Sequence, residues 1–138
     1  MYKTILVTLE ATPTDQVIIE HIKQLAKSMQ SRVILLHVAT GVPAQWNGPD
    51  AAGLEIDEDK SYLAEVQKGF ESAGIPVETV LCYGDPVTEI IKWVQTNPCD
   101  LVAMSTHGHK LLGDILHGTT AIRVQHNVSV PVLLLRSR

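Results

Sequence analysis

Five short aliphatic runs alternate with four stretches whose apolar residues recur at helical spacing, and this order constrains the chain more than any other feature. The runs are Ile5-Leu6-Val7, Val33 to Val38, Val77 to Tyr83, which instead alternates in part, Leu101 to Met104 and Val130 to Leu135. Ile18, Ile22, Leu25, Ala26 and Met29 form the first helical stripe, and Leu63, Val66, Phe70 and Ala73 form the second. Val87, Ile90, Ile91 and Val94 make the third, and a fourth helix is expected to open at Gly118 and reach about His126. Unbroken aliphatic runs suit strands buried on both faces. Strict alternation of strand and helix then implies right-handed crossovers and a parallel sheet covered by helices on both sides, an α/β fold. In such an open sheet, ligands bind beyond the carboxyl ends of strands where the strand order reverses.

Local signals mark the element ends. Thr12 reads as an N-cap, with Pro13 at the first helical position and Asp15 completing a variant capping box. Gly84-Asp85-Pro86 repeats that logic, Gly74 should stop the second helix, and Asn97-Pro98 the third. From Ala39 to roughly Asp57 periodicity is lost, with five Gly and Pro breakers, so a long loop is expected there, acting as a lid or partner contact. Trp46 inside it is expected to cover apolar surface or to stack on a ligand.

With 138 residues the chain is expected to form one domain, 1–138, able to bury a core without a metal or disulfide. A net charge of -4 with dispersed basic residues argues against nucleic acid as a main partner. The aliphatic runs are too short to span a bilayer. No signal-peptide pattern follows Met1, so a cytoplasmic location is expected, with Cys82 and Cys99 reduced.

The chemistry-bearing stretch is Ser105-Thr106-His107-Gly108, followed after nine residues by Gly118-Thr119-Thr120. Glycines admit close approach of backbone N–H groups, and the threonine hydroxyls add donors where a helix is expected to start, which together suit a phosphate. Four histidines, His107, His109, His117 and His126, invite a metal reading, yet no ligand set is completed beyond Asp114, and no metal site is expected. Ser105, His107 and Asp114 can be drawn as a triad, but no G-x-S-x-G elbow or oxyanion hole accompanies them, so no catalytic residue is assigned.

Ile5 to Glu10, Leu35-Leu36-His37-Val38, Asp100 to Gly108, Gly118-Thr119 and Pro131 to Leu135 together resemble the universal stress protein family along essentially the whole chain. Its ATP-binding members share a G-x2-G-x9-G-[ST] loop, in which Ser105 here replaces the first glycine. The resemblance implies a three-layer domain of the adenine nucleotide alpha hydrolase-like type, with a five-stranded parallel sheet ordered 3-2-1-4-5. It implies ATP, alone or with Mg2+, over the first and fourth strands: adenine near Val38 and Met104, phosphates on Gly108, Gly118, Thr119 and Thr120. Thr8, Leu9 and Glu10 would border the ribose and metal side, and Ser105, His107 and His109 would complete the loop. Glu10 stands where Asp is usual, and Thr8 where Pro is common. A left-handed backbone at Ser105 would cost about 1–2 kcal/mol, against ~8 kcal/mol for micromolar binding. The function implied is an ATP-binding stress-response protein without catalysis or with slow ATP hydrolysis, dimerising through Val130 to Leu135. The alternative is a nucleotide-free dimeric interaction module of the same fold, and a third class is an adenylate-forming or ATP-cleaving enzyme.

Overall fold

The computed structural model describes residues 1–40, 49–107 and 112–137, with side chains described for 1–40, 57–106 and 120–137. Five strands, β1 (Thr4–Leu9), β2 (Arg32–Ala39), β3 (Val77–Tyr83), β4 (Leu101–His107) and β5 (Val132–Ser137), form one parallel sheet in the order β3-β2-β1-β4-β5. Four helices alternate with them: α1 (Asp15–Met29), α2 (Pro49–Ser72), α3 (Pro86–Thr96) and α4 (Leu112–Asn127).

The aliphatic runs of β1, β2 and β4 are buried because helices cover both faces. Ile5, Val7, Val33, Leu35 and Ala103 pack with Ile18, Ile22, Leu63 and Phe70 of α1 and α2. Leu6, Ile34, Leu36, Val102 and Met104 pack with Val87, Ile90, Ala121 and Val124 of α3 and α4. The chain thus runs from β1 outward to β3 over one face and returns to β5 over the other. The direction changes between β1 and β4, whose pairing, from Ile5↔Leu101 to Val7↔Ala103, ends before either strand does.

Several element ends differ from the sequence reading. Asp85 caps α3 as expected, accepting from the Thr88 amide at 3.0 Å ahead of Pro86, and Gly74 ends α2 with φ 79°. By contrast α1 starts at Asp15 rather than after Thr12. Its N-cap is Thr14, already helical and without a side-chain cap bond, its hydroxyl turned to Thr12 and Glu10 instead. The expected loop to Asp57 is shorter, since α2 begins at Pro49; residues 41–48, Trp46 among them, lie outside the described residues. β4 continues through Ser105, Thr106 and His107, paired with Leu135, Arg136 and Ser137, so these three residues are strand rather than loop. β5 starts at Val132, after Pro131, which has no N–H to give to a ladder.

The opening of α4 is the largest departure. It starts at Leu112, not Gly118, so the apolar residues at 112, 115 and 116 run into the same helix as Ala121 and Val124. Two internal glycines cost about 1 kcal/mol each relative to alanine, less than a second helix start with its four unpaired amides.

At the opposite end of the sheet, Asp100 joins β1 to β4 by accepting from the amides of Lys3 at 2.8 Å and Thr4 at 2.9 Å. Partial burial opposes its ionisation, but these amides outweigh it and hold the carboxyl below its ordinary value. Stability from a lowered pKa is present above the unfolded value and lost as pH falls through the folded one. Asp100→Ala should therefore cost about 1 kcal/mol in urea unfolding at neutral pH, and the difference from the parent should vanish in acid.

Candidate functional site

The site is organised at the end of β1. Ala11 adopts a left-handed backbone, φ 62°, which turns the chain out of the strand. Asp15, 1% exposed, points back into that turn. Its Oδ1 accepts from the Glu10 amide at 3.0 Å, and its Oδ2 from the Ala11 amide at 2.9 Å and the Tyr62 hydroxyl at 2.6 Å. These three donors satisfy the buried carboxyl group. Burial first, and the bond to Asp15 second, push the Tyr62 phenol far above its ordinary value. Tyr62 therefore ties α2 to the β1–α1 turn.

Beyond that turn a cavity of about 350 Å³ opens over the carboxyl ends of β1, β2 and β4. One wall is apolar: Leu36, Val38, Met104, Pro86 and Ile90. Its polar groups come from Thr8, Glu10, Thr40, Asp59, His37, Ser105 and Thr120, with Leu9, Ala11 and Ala39 between them. Alternation along parallel strands puts His37, Leu9 and Ser105 on the α1/α2 face, two residues beyond Leu35, Val7 and Ala103.

His37 Nδ1 lies 2.8 Å from the Leu9 carbonyl, which can only accept, so Nδ1 carries a proton. Its Nε2 faces Asp59 Oδ2 at 3.5 Å. Among the described residues, two buried side-chain atoms have no hydrogen-bond partner in the protein, Asp59 Oδ2 and Ser105 Oγ. Both residues line this cavity. Unpaired buried polar atoms are costly, and converging on one space they mark it as made for a polar ligand.

Of the residues singled out from sequence, Thr8, Leu9, Glu10, Val38, Met104, Ser105 and Thr120 come together around this cavity. Ser105 is ordinary strand, and the left-handed residues other than glycine are Ala11 and Gln30 among those described, so the serine carries no backbone penalty. His107 ends β4, with its side chain outside the described residues; Gly108 and His109 lie outside them altogether. Gly118 and Thr119 sit inside α4, where the amide of residue 118 is no longer one of the four unpaired helix-start donors. Those four belong to residues 112–115.

His37 and Asp59 were not singled out as site residues. The signal for His37 was a lone imidazole inside an otherwise aliphatic run. Asp59 gave none, standing where the expected loop gives way to helix.

The match to the Usp model, described as the universal stress protein family, covers residues 1–136. The chain belongs to that family. A universal stress protein of Methanocaldococcus jannaschii, MJ0531, is 28% identical over 141 residues, covering 99% of this chain and 83% of that protein. A second from the same organism, MJ0577, is 26% identical over 157 residues, covering 100% and 97%. The solved structure of MJ0577 superposes with a TM-score of 0.82 at 27% identity, over 100% of this chain and 98% of that one. A universal stress protein in complex with cAMP shares the fold at TM-score 0.75 and 17% identity, covering 99% and 98%. One from Archaeoglobus fulgidus in complex with dAMP does so at 0.71 and 16%, covering 96% and 97%.

In this universal stress protein the Asp15 clamp should be measurable. Asp15→Ala leaves two amides and a phenol without their acceptor and should cost roughly 3 kcal/mol in urea unfolding, with faster amide exchange at Glu10 and Ala11. A phenol with a raised pKa stabilises the fold below its unfolded value, near 10, and that contribution falls away above it. In an alkaline absorbance titration Tyr62 should ionise only with unfolding, and Tyr62→Phe should remove that late component.

Proposed function

We propose that the chain is an adenine-nucleotide-binding stress-response protein whose nucleotide lies over the carboxyl ends of β1 and β4. The observation that carries this reading is the cavity at the strand reversal, apolar on one side and edged by two unpartnered buried polar atoms on the other. Its volume falls at the lower end of the range for small-molecule sites, about 300–1,000 Å³. The family membership agrees with it, and two neighbours in fold are complexes with cAMP and dAMP.

The described lining fits a nucleoside. Leu36, Val38, Ile90 and Met104 offer an apolar slot for a base, and Thr8, Glu10, Asp59 and Ser105 offer acceptors for its N–H and O–H groups. That lining holds two carboxylates and no lysine or arginine, so a triphosphate would be placed toward Gly108, His109, Gly118, Thr119 and Thr120. ATP is the nucleotide proposed, alone or with Mg2+, which would offset the charge between phosphates and Glu10.

Nothing in the described lining is set to activate water, since His37 Nδ1 is committed to Leu9 and Nε2 faces a carboxylate. Hydrolysis should be slow or absent, and occupancy would act by changing the surface presented to partners. β5 is an edge strand with Leu134 exposed, and we assign it to a homodimer in the cytoplasm. No helix among the described residues is long and apolar enough to cross a membrane.

Acid extraction of protein purified without added ligand should release close to one adenine nucleotide per chain, and light scattering should give twice the 15.1 kDa chain mass. Absence of nucleotide together with no heat on titration with Mg-ATP, ADP or AMP would favour the interaction module without nucleotide.

A further inference from the structure

We propose that Asp59, set beside His37, is the residue through which this site recognises a neutral hydrogen-bond donor on the nucleoside, either its exocyclic amine or a ribose hydroxyl. The proposal rests on the nucleotide-binding reading above and adds a residue from α2 to it.

Asp59 is nine-tenths buried, and its Oδ2 accepts no hydrogen bond from the protein. His37 Nε2 stands 3.5 Å from it, too far for a hydrogen bond, while Nδ1 is turned to the Leu9 carbonyl. A carboxylate oxygen without a donor in a buried wall attracts a group with hydrogens to give. An amine or a pair of hydroxyls meets that need; a phosphate, which is anionic and accepts, is repelled. This fixes polarity across the cavity, nucleoside toward α2 and phosphates away from it.

Ser105 Oγ reinforces the orientation. It lies on the same face as His37, in a strand separated from β2 by β1 alone. Neighbouring strands are about 4.8 Å apart, so Asp59 with His37 and Ser105 stand at two separate points of the cavity lining, with Leu9 of β1 between them. Glu10, the other carboxylate of the lining, already receives the Thr14 hydroxyl at 3.4 Å, whereas Asp59 Oδ2 has no such donor.

The position of Asp59 is firmly held. Tyr62, one helical turn further along α2, is bonded to Asp15 at 2.6 Å. Asp59 therefore has a fixed place over the β2 end, as recognition by a single hydrogen bond requires.

The test is a calorimetric cycle on the full chain with AMP, 2′-deoxy-AMP, 3′-deoxy-AMP and purine riboside 5′-monophosphate, which lacks the amine. Asp59→Asn, isosteric and still folded by circular dichroism, and Asp59→Ala should each weaken AMP about tenfold or more, the loss of one hydrogen bond to a charged group. Against the one analogue that lacks the recognised donor, the same variants should bind as the parent does, which identifies amine or hydroxyl. An equal loss against all four ligands, or no loss at all, in a parent that binds AMP would overturn the assignment while leaving the nucleotide site standing. A parent that binds none of the four would remove both.

Discussion

A buried carboxylate governs how β1 ends. Asp15 gathers the amides of Glu10 and Ala11 and the hydroxyl of Tyr62, and these donors offset the cost of burying its charge. That gathering holds Ala11 in a left-handed turn and so directs the chain away from β4 at the point where their pairing stops. Through Tyr62 it also sets the place of α2, and through α2 the place of Asp59. The cavity is thus the space left when one turn leaves the sheet on one side and β4 continues on the other.

Much of this architecture was readable from the chain. Ile5-Leu6-Val7 and Val33 to Val38 are aliphatic at consecutive positions, and only strands with both faces covered tolerate that, so a parallel sheet followed. Asp85 with Pro86 carried a complete local signal and caps α3 as expected. Seven residues chosen for the site surround one cavity because strand ends at a reversal are brought together by topology, and topology was implied by the order of elements.

What escaped the sequence depended on contacts across space. Asp15 looked like part of a capping box because Thr12 and Pro13 precede it. Its real partners include Tyr62, 47 residues away. Gly118 looked like a helix start because a glycine between polar residues has that local signature. The helix instead runs unbroken from Leu112 to Asn127, and hydrogen-bond continuity outweighs glycine's low propensity. Asp59 carries no motif, and acquires meaning only when α2 places it beside His37.

These constraints converge on one claim: the end of the sheet between β1 and β4 is shaped to hold a nucleoside with its donors toward α2. Amide chemical-shift mapping during titration of the isotope-labelled protein with AMP addresses it directly. The account predicts saturable shifts centred on Glu10, His37, Val38, Asp59 and Ser105, the cavity residues. Shifts centred instead on the cleft between α1 and α2, at Gln16, Lys23, Glu65 and Gly69, with the β1 and β4 ends silent, would contradict it.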